Sequence, residues 1–249
     1  MRWTPSGSPW LGGGSLSDLT CGSLFSGVGG MDIGLSRAGF KHKFFAEIDP
    51  YCRAVLAARF PGIPIYEDVR DVDASAGHVA VLAGGFPCQD LSVAGKRAGL
   101  AGERSGLFYE FMRVADAIRP RAILLENVEG LYSSNGGRDF GVVLDALAER
   151  GYLATWRTLD AQHFGVPQRR RRVFVCAIAD GDPGAERIGE VFALSQSGDR
   201  DHPTSDPTWP HAATRVGAGA TGGGRVVGSL SAQGYTQYTD QEFVRGGNS

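Results

Sequence analysis

The chain of 249 residues contains 42% hydrophobic and 21% charged residues, which is typical of a globular protein large enough for one α/β core and an additional segment. Its formal net charge of −2 excludes a globally basic nucleic-acid-binding protein, so any nucleic-acid contact must be local. No apolar run approaches the roughly 18 residues of a membrane-spanning helix. The four cysteines form no C-x-x-C pair, so the sequence predicts no metal site.

Cysteine usage and the first residues indicate the compartment. Cys21, Cys52 and Cys176 lie in or beside apolar strands and a helix, and we interpret them as core thiols of a reduced, cytoplasmic protein. Residues 1–19 are rich in Gly, Ser and Pro and lack an apolar h-region. They are therefore predicted to form a flexible leader rather than a signal peptide.

The first predicted elements are a strand at residues 23–25, a glycine turn at 26–30 and a helix that ends at Gly39. The apolar residues at helical spacing are Val28, Met31, Leu35 and Ala38. This order is typical of a nucleotide site, because glycines let a ligand approach the backbone and a helix N-terminus presents unpaired N–H groups. The G-x-G-x-x-G fingerprint would require glycine at position 32, where the chain has Asp32. The glycine pattern alone is weak and leaves an NAD-dependent enzyme as an alternative.

A second strand is predicted at residues 43–47, followed by a helix that Asp49 caps. Glu47 stands at the end of this strand, 20 residues after Gly27. A carboxylate in that position typically binds the ribose hydroxyls of an adenosine, although a surface glutamate at a strand end would look the same in the sequence. Asp68, which follows the next short strand, is a further candidate at the same edge.

The fourth cysteine follows a short buried strand. Residues 79–83 form an apolar run that ends at Gly84-Gly85, and Phe86-Pro87-Cys88-Gln89 follow. Because a parallel strand delivers the next residues to the carboxyl edge of a sheet, we expect Cys88 in a loop at an active edge. A packed core cysteine is the alternative, but the proline before Cys88 and the polar residues after it favour a shaped loop.

The middle of the chain repeats the pattern of a strand that ends in polar residues. Residues 94–104 have the composition of a mobile loop, and a helix is predicted at 105–119. The next strand, at 122–125, is predicted to end in Glu126-Asn127-Val128. A helix capped by Asp139 and a further strand follow.

A basic run, Gln168 to Arg172, leads directly into the last clear strand, predicted at residues 173–179. If the run is extended, Gln168, Arg170 and Arg172 share one face, while the other two arginines share the opposite face. A solvated surface is the ordinary explanation of a charge run, but continuity with a buried strand favours a role at the active edge. After residue 180 the apolar periodicity fades, and only a strand-like run at 225–230 stands out.

Four motifs in this order carry a resemblance to a known family: F-x-G-x-G-G, G-F-P-C-Q, E-N-V and Q-R-R-R-R-V-F. Over residues 24–179 the chain resembles the DNA cytosine-5 methyltransferases, in particular the bacterial and phage restriction-modification type. The resemblance implies a Rossmann-like α/β fold, a mostly parallel sheet with helices on both faces, as in class I methyltransferases. It also implies S-adenosylmethionine as the methyl donor and a cytosine in double-stranded DNA as the acceptor.

The resemblance implies a role for each catalytic residue. Cys88 would be the thiolate that adds to C6 of cytosine and makes C5 nucleophilic. Glu126 would be the acid near N3 of the ring, and Arg172, with Arg170 beside it, would contact the base near O2. Because C5 is unreachable inside a duplex, the base must be flipped out.

The remaining motif residues fall into two implied groups. The cofactor-binding residues are Phe25, Gly27, Gly29, Gly30, Glu47, Ile48, Asp68, Val69 and Leu107. The substrate-binding residues are Pro87, Gln89, Ser92, Lys96, Arg97, Arg104, Asn127 and Gln168.

The C-terminal part departs from the family pattern. We expect a catalytic and donor-binding domain at residues 20–180 and a partial target-recognition region, poorly ordered in part, at 181–249. A second polypeptide could supply the remaining C-terminal blocks of the family. Two alternatives stay open: a tRNA cytosine-5 methyltransferase, and a catalytically impaired remnant that binds DNA or the cofactor. An NAD oxidoreductase would leave Cys88, Glu126 and the basic run unexplained.

Overall fold

The computed structural model describes residues 19–87, 106–191, 212–217 and 225–228. These residues belong to two compact units. The first unit extends to Asn127 and also includes Asp182–Gly184, and the second comprises the remainder from Val128 onwards.

The first unit contains parallel strands that alternate with helices. The strands are β1 (Thr20–Leu24), β2 (Lys41–Ala46), β3 (Ile65–Tyr66), β4 (Val81–Gly84) and β5 (Ala122–Val128, whose last residue is assigned to the second unit). The helices are α1 (Gly30–Arg37), α2 (Pro50–Arg59) and α3 (Leu107–Ile118). The alternation confirms the predicted α/β class.

The order of these strands creates a switch point. The sheet runs β3-β2-β1-β4-β5, and each neighbouring pair is parallel. The chain proceeds outward from β1 to β3 and then returns to place β4 on the other side of β1. In open α/β sheets, ligands bind at the carboxyl ends of the strands where the order reverses. The residues that follow β1 and β4 are therefore the first candidates for a site.

Apolar residues of strands and helices form the core of the first unit. Leu24, Phe45 and Leu82 are fully buried on three neighbouring strands. Helix α3 buries apolar residues spaced three or four positions apart, namely Phe108, Phe111, Met112, Val114, Ala115 and Ile118. Such burial is the main stabilising contribution, about 1.5–3 kcal/mol for each large side chain.

The second unit is built on antiparallel pairing. Strand β6 (Tyr152–Asp160) pairs along its whole length with β7 (Arg171–Ala179). On its other side β6 pairs with β8 (Ala212–Gly217), which pairs with β9 (Arg225–Gly228). Among the described residues of this unit, Arg138–Ala148 form an α-helix, α4. Strand β9 lies inside the predicted run at 225–230, whereas β8 was not predicted, because its mixed sequence has no apolar periodicity.

Several predicted boundaries are wrong in the first unit. Strand β1 begins at Thr20 and ends before Phe25. Val28 is not a helical core residue, because it precedes α1 and is 47% exposed. Within α1, Asp32 is fully buried and its Oδ1 lies 3.2 Å from Nε2 of the buried His42. The apolar spacing of α1 does not indicate this polar pair.

Other corrections concern β5, α4 and β7. Glu126 and Asn127 lie within β5 rather than after it. Asp139 does not cap α4: Gly137 precedes the helix with φ +89°, and the buried Asp139 carboxylate accepts hydrogen bonds from Ser134 Oγ and Asn135 Nδ2. Strand β7 begins at Arg171, two residues earlier than predicted. Among the described residues, no helix is both long and apolar enough to cross a membrane.

Candidate active site

The glycine turn after β1 has the backbone conformation that the sequence indicates. Gly27 and Gly29 have φ values of +54° and +81°, and Phe25 has φ +55°. A Cβ atom at Gly29 would lie 3.0 Å from Leu56 and 3.1 Å from Phe60, so only glycine lets α2 pack against this turn. A Cβ at Gly27 would meet nothing within 4 Å. The turn therefore packs tightly on one side and is open at Gly27.

Glu47 is tied to this turn from the next strand. Its Oε2 accepts a hydrogen bond of 2.7 Å from the Gly27 backbone N–H, and its Oε1 accepts one of 2.9 Å from that of Asp49. The residue is 9% exposed. Both carboxylate oxygens are thus held by backbone donors. A carboxylate offers about four acceptor positions, so two remain for another donor.

Apolar surface lies exposed beside this carboxylate. Ile48 directly follows Glu47 and is 72% exposed, and Val28 follows Gly27. Tyr51, which sequence reasoning did not single out, is 73% exposed in the first turn of α2. Exposed apolar side chains next to an anchored carboxylate suit a ligand that has both a flat apolar part and hydroxyl groups.

The turn after β3 positions the next predicted contact. Asp68 caps a short 3₁₀ helix, Val69–Asp71, and accepts hydrogen bonds of 2.9 Å from the backbone N–H and from the guanidinium of Arg70. Val69 is 5% exposed and packs largely into the core. Leu107, at the start of α3, is partly buried.

Strands β4 and β5 bring two motifs into direct contact. The strands pair in register, with Gly84 opposite Leu125. A Cβ at Gly85 would lie 2.9 Å from Oε2 of Glu126, so the glycine lets this carboxylate lie against the backbone. The side-chain amide of the buried Asn127 donates a hydrogen bond of 2.9 Å to the Phe86 carbonyl. The predicted Gly-Phe-Pro and Glu-Asn-Val motifs therefore meet at one place.

Phe86 anchors the same segment in the core. Its ring is 3% exposed and its centroid lies 5.0 Å from that of Phe108 in α3. Pro87 follows and is exposed. Six predicted site residues lie outside the described residues, namely Cys88, Gln89, Ser92, Lys96, Arg97 and Arg104.

The remaining cysteines are unsuited to nucleophilic chemistry. Burial raises the pKa of Cys21 to about 12, with a contribution from the negative charge of Asp32. Burial also raises the pKa of Cys176 to about 12. The pKa of Cys52 is raised by desolvation and by the nearby Asp49 and Glu47 carboxylates. Cys52 is only half-buried, so the expectation that it is a core thiol is wrong for this residue.

In the second unit, two carboxylates that the sequence analysis missed contact the basic run at residues 168–172. Asp160, 3% exposed at the end of β6, accepts a hydrogen bond of 3.1 Å from the Arg170 backbone N–H. Glu129 forms an ion pair of 2.7 Å with Arg171. Arg170 and Gln168 are exposed, while Arg172 is partly buried and donates to the Arg171 carbonyl. Only Arg171 and Arg172 of the basic run lie in β7. The predicted alternation of side chains between two faces therefore applies to these two residues and not to the whole run.

Among the described residues, no group of three or more His, Cys, Asp or Glu side chains could hold a metal ion.

The positions of Asp160 and Glu129 carry a weak sequence signal, because each follows or ends a strand. Arg113 on α3 also contacts the turn after β3, and nothing in its helical sequence context distinguishes it from a surface arginine.

Comparison with known proteins places these motifs in a family. The sequence profile described as C-5 cytosine-specific DNA methylase matches residues 19–218. Type II methyltransferase M2.BsuMI of Bacillus subtilis is 41% identical over 165 residues, which cover 65% of this chain and 42% of that protein. Type II methyltransferase M.NgoBI of Neisseria gonorrhoeae is 38% identical over 162 residues, which cover 64% of this chain and 50% of that protein. The chain thus spans about half the length, or less, of these curated relatives.

Solved structures share the fold. The crystal structure of a Spodoptera frugiperda DNMT2 mutant matches with a TM-score of 0.54 and 22% identity, over 65% of this chain and 50% of that one. The S. pombe Dnmt2 methyltransferase matches with a TM-score of 0.51 and 21% identity, over the same shares of the two chains. These likenesses confirm the class I methyltransferase fold. The profile match covers far more than half of this chain, and the chain therefore belongs to the C-5 cytosine-specific DNA methylase family.

Proposed function

We propose that the protein transfers a methyl group from S-adenosylmethionine to C5 of cytosine in double-stranded DNA. The observation that carries the proposal is the contact between two motifs, in which Asn127 holds the Phe86 carbonyl and the Glu126 carboxylate lies against Gly85. The residue that follows Pro87 is Cys88. The proposed nucleophile, Cys88, and the proposed acid, Glu126, thus belong to two segments that contact each other at Phe86 and Asn127.

The turn after β1 and the Glu47 carboxylate support S-adenosylmethionine as the proposed donor. The open side of the turn at Gly27 leaves room for a ligand against the backbone, and Glu47 keeps two acceptor positions for the ribose hydroxyls. Ile48 offers an exposed apolar surface for the adenine ring. Phe25, Gly29, Gly30, Asp68, Val69 and Leu107 complete the proposed donor site. When bound, the donor supplies a methyl group on a positively charged sulfur.

The chain's own groups would activate the cytosine. The Cys88 thiolate adds to C6, and Glu126 delivers a proton to N3, so that negative charge does not accumulate on the ring while C5 becomes nucleophilic. C5 then attacks the methyl carbon and displaces the donor sulfur as a neutral thioether. A water molecule takes the C5 proton, the N3 proton returns to Glu126, and the C6–S bond breaks to release the Cys88 thiolate. Sulfur suits both steps, because it is a good nucleophile and a competent leaving group.

The arginines of the basic run would bind the flipped nucleotide. Arg172 and Arg170 are proposed to contact the base near O2, and Gln168 to contact the substrate beside them. Asp160 and Glu129 support this role by fixing the backbone of Arg170 and the side chain of Arg171. Ser92, Lys96, Arg97 and Arg104 are proposed to contact the duplex, and Pro87, Gln89 and Asn127 to contact the substrate. We propose residues 20–180 as the catalytic domain and 181–249 as part of a target-recognition region.

A methyl-transfer assay with a labelled donor tests the proposal. The full chain is incubated with mixed-sequence duplex DNA and, separately, with tRNA, and the methylated base is identified by mass spectrometry. 5-Methylcytosine in DNA is the expected product. Label in tRNA alone would overturn DNA as the substrate, and a chain that labels neither polymer and does not bind the donor would overturn the proposed activity.

A further inference from the structure

We propose that Arg113 is a positioning residue for the methyl donor, because it fixes the turn that carries Asp68 and Val69. The inference rests on the proposed function, since it concerns the same donor site. Arg113 lies on α3, 45 residues beyond Asp68 in the sequence, and no motif includes it.

One guanidinium group binds three carbonyls of this turn. Arg113 Nη1 donates to the Val72 carbonyl at 2.9 Å, and Nη2 donates to the carbonyls of Val69 at 3.0 Å and Arg70 at 3.3 Å. Its Nε donates to Glu110 Oε2 at 2.7 Å, one turn earlier on α3. The planar guanidinium group therefore has its two ends and its Nε engaged at once, which a lysine ammonium cannot reproduce.

Besides the Asp68 cap and the burial of Val69 and Val72, the turn has only weak hydrogen bonds of its own. The 3₁₀ helix Val69–Asp71 contains three residues, and its own backbone hydrogen bonds are 3.1 Å from Asp71 N to Asp68 O and 3.2 Å from Val72 N to Val69 O. Helical turns of this length are marginal in isolation, because the cost of ordering the backbone exceeds the return from so few hydrogen bonds. Arg113 supplies charge-assisted hydrogen bonds, which are about twice as strong as neutral ones.

A chain of contacts leads from Arg113 to Asp68, one of the proposed donor-binding residues. The Arg70 carbonyl accepts from Arg113, while the Arg70 backbone N–H and guanidinium both donate to the Asp68 carboxylate at 2.9 Å. The orientation of Asp68 therefore depends on the position of Arg70, and the position of Arg70 depends on Arg113. Because α3 also begins with Leu107, a single helix supports two of the proposed donor contacts.

Calorimetric titration of the full chain with S-adenosylhomocysteine tests this role. Arg113→Gln should weaken binding by about fivefold or more, within the range of coupling between residues of one network, and Arg113→Lys should restore only part of the loss. The matched control is Arg59→Gln, an exposed arginine in the last turn of α2. The control should bind like the wild type.

A double-mutant cycle separates positioning from a general loss of structure. In an Asp68→Ala background, Arg113→Gln should cost much less affinity than in the wild type, because its effect passes through Asp68. In a Glu47→Gln background, Arg113→Gln should weaken S-adenosylhomocysteine binding by the same factor as in the wild type. Glu47 is independent of Arg113, since the backbone N–H groups of Gly27 and Asp49 hold it. Equal costs in all backgrounds, or wild-type affinity in a folded Arg113→Gln chain, would overturn the inference.

Hydrogen exchange without the donor provides a readout that does not depend on binding. Arg113→Gln should speed exchange of the Asp71 and Val72 amides, while the amides of β1 and β4 keep their protection. Unchanged exchange at Asp71 and Val72 would overturn the claim that Arg113 holds the turn. A wild-type chain that fails to bind S-adenosylhomocysteine would instead overturn the proposed donor site, whatever the exchange of the turn shows.

Discussion

The side-chain amide of Asn127 donates a hydrogen bond of 2.9 Å to the backbone carbonyl of Phe86, across the adjacent ends of β5 and β4. Asn127 is 5% exposed, so this bond forms away from water, where the loss of one partner leaves a buried polar group unsatisfied. The bond holds the backbone of Phe86, two residues before Cys88 in the sequence. Besides its proposed substrate contact, Asn127 thus anchors the last described residues before the proposed nucleophile.

Replacing Asn127 should separate catalysis from donor binding. Asn127→Ala leaves the Phe86 carbonyl without this donor, at a cost of about 1–3 kcal/mol. If that cost is expressed in the transition state, the single-turnover rate of methyl transfer falls about 5- to 150-fold, while S-adenosylhomocysteine binds as before. The control is Val128→Ala, at the next residue, which is 39% exposed. Equal single-turnover rates for the Asn127 and Val128 variants would show that the hydrogen bond has no role in catalysis.

Cys88→Ser should abolish methyl transfer and leave donor binding intact, because a serine hydroxyl is a much weaker nucleophile than a thiolate. Duplex DNA containing 5-fluorocytosine should form a covalent adduct with the wild type and with Cys52→Ser, but not with Cys88→Ser. The adduct is measured as a mass shift under denaturing conditions. A persistent adduct in the Cys88 variant would assign the nucleophile to another residue.

Glu47→Ala should weaken S-adenosylmethionine binding by about 1.5–3 kcal/mol, the range for hydrogen bonds to a charged group. The variant loses the proposed ribose contacts and also releases the backbone N–H groups of Gly27 and Asp49. Glu67→Ala is the matched control, since that carboxylate is 77% exposed and pairs with Arg53. Calorimetry that finds equal affinities for the two variants would show that Glu47 does not bind the ribose.

Glycine substitutions should have opposite effects at two kinds of site. Gly85→Ala would place a Cβ 2.9 Å from Oε2 of Glu126, so the carboxylate must move and methyl transfer should fall. Gly34 and Gly141 are helical glycines with no atom within 4 Å of a built Cβ. Gly34→Ala and Gly141→Ala should each stabilise the fold by about 0.4–1 kcal/mol, because alanine loses less backbone entropy on folding. Thermal unfolding and activity of the three variants check both expectations.

The ion pair between Arg121 and Asp182 should make stability depend on acid pH. Partial burial acts to raise the pKa of Asp182, but hydrogen bonds from Arg121 and from the Gly184 N–H outweigh it, and the pKa lies below its ordinary value of 3.8. The charged form is therefore favoured in the folded state, so this stabilisation is present above pH 3.8 and is lost as pH falls through the lower folded pKa. Arg121→Gln should lower the unfolding free energy at neutral pH by up to about 1 kcal/mol. The difference from the wild type should vanish in stronger acid, and a difference that grows there would contradict the assignment.

The sequence determined the elements that depend on local residues and on motif spacing. Asp49 followed by Pro50 predicts the start of α2, because an N-cap acceptor and a fixed proline φ act within one turn. The 20-residue spacing from Gly27 to Glu47 predicts two residues at neighbouring strand ends, and the two are hydrogen-bonded. The motifs likewise indicate the family, since their residue types follow from the chemistry they perform.

Only the tertiary structure decided the contacts between segments that are distant in the sequence. The 2.9 Å bond from Asn127 to Phe86 and the contacts of Arg113 with three carbonyls require elements far apart in the chain to meet. Asp32 is fully buried although it lies outside the apolar spacing of α1, and its Oδ1 lies 3.2 Å from Nε2 of His42 on β2. Local propensity and periodicity carry no information about such partners, since a long-range hydrogen bond depends on where the sheet places both ends.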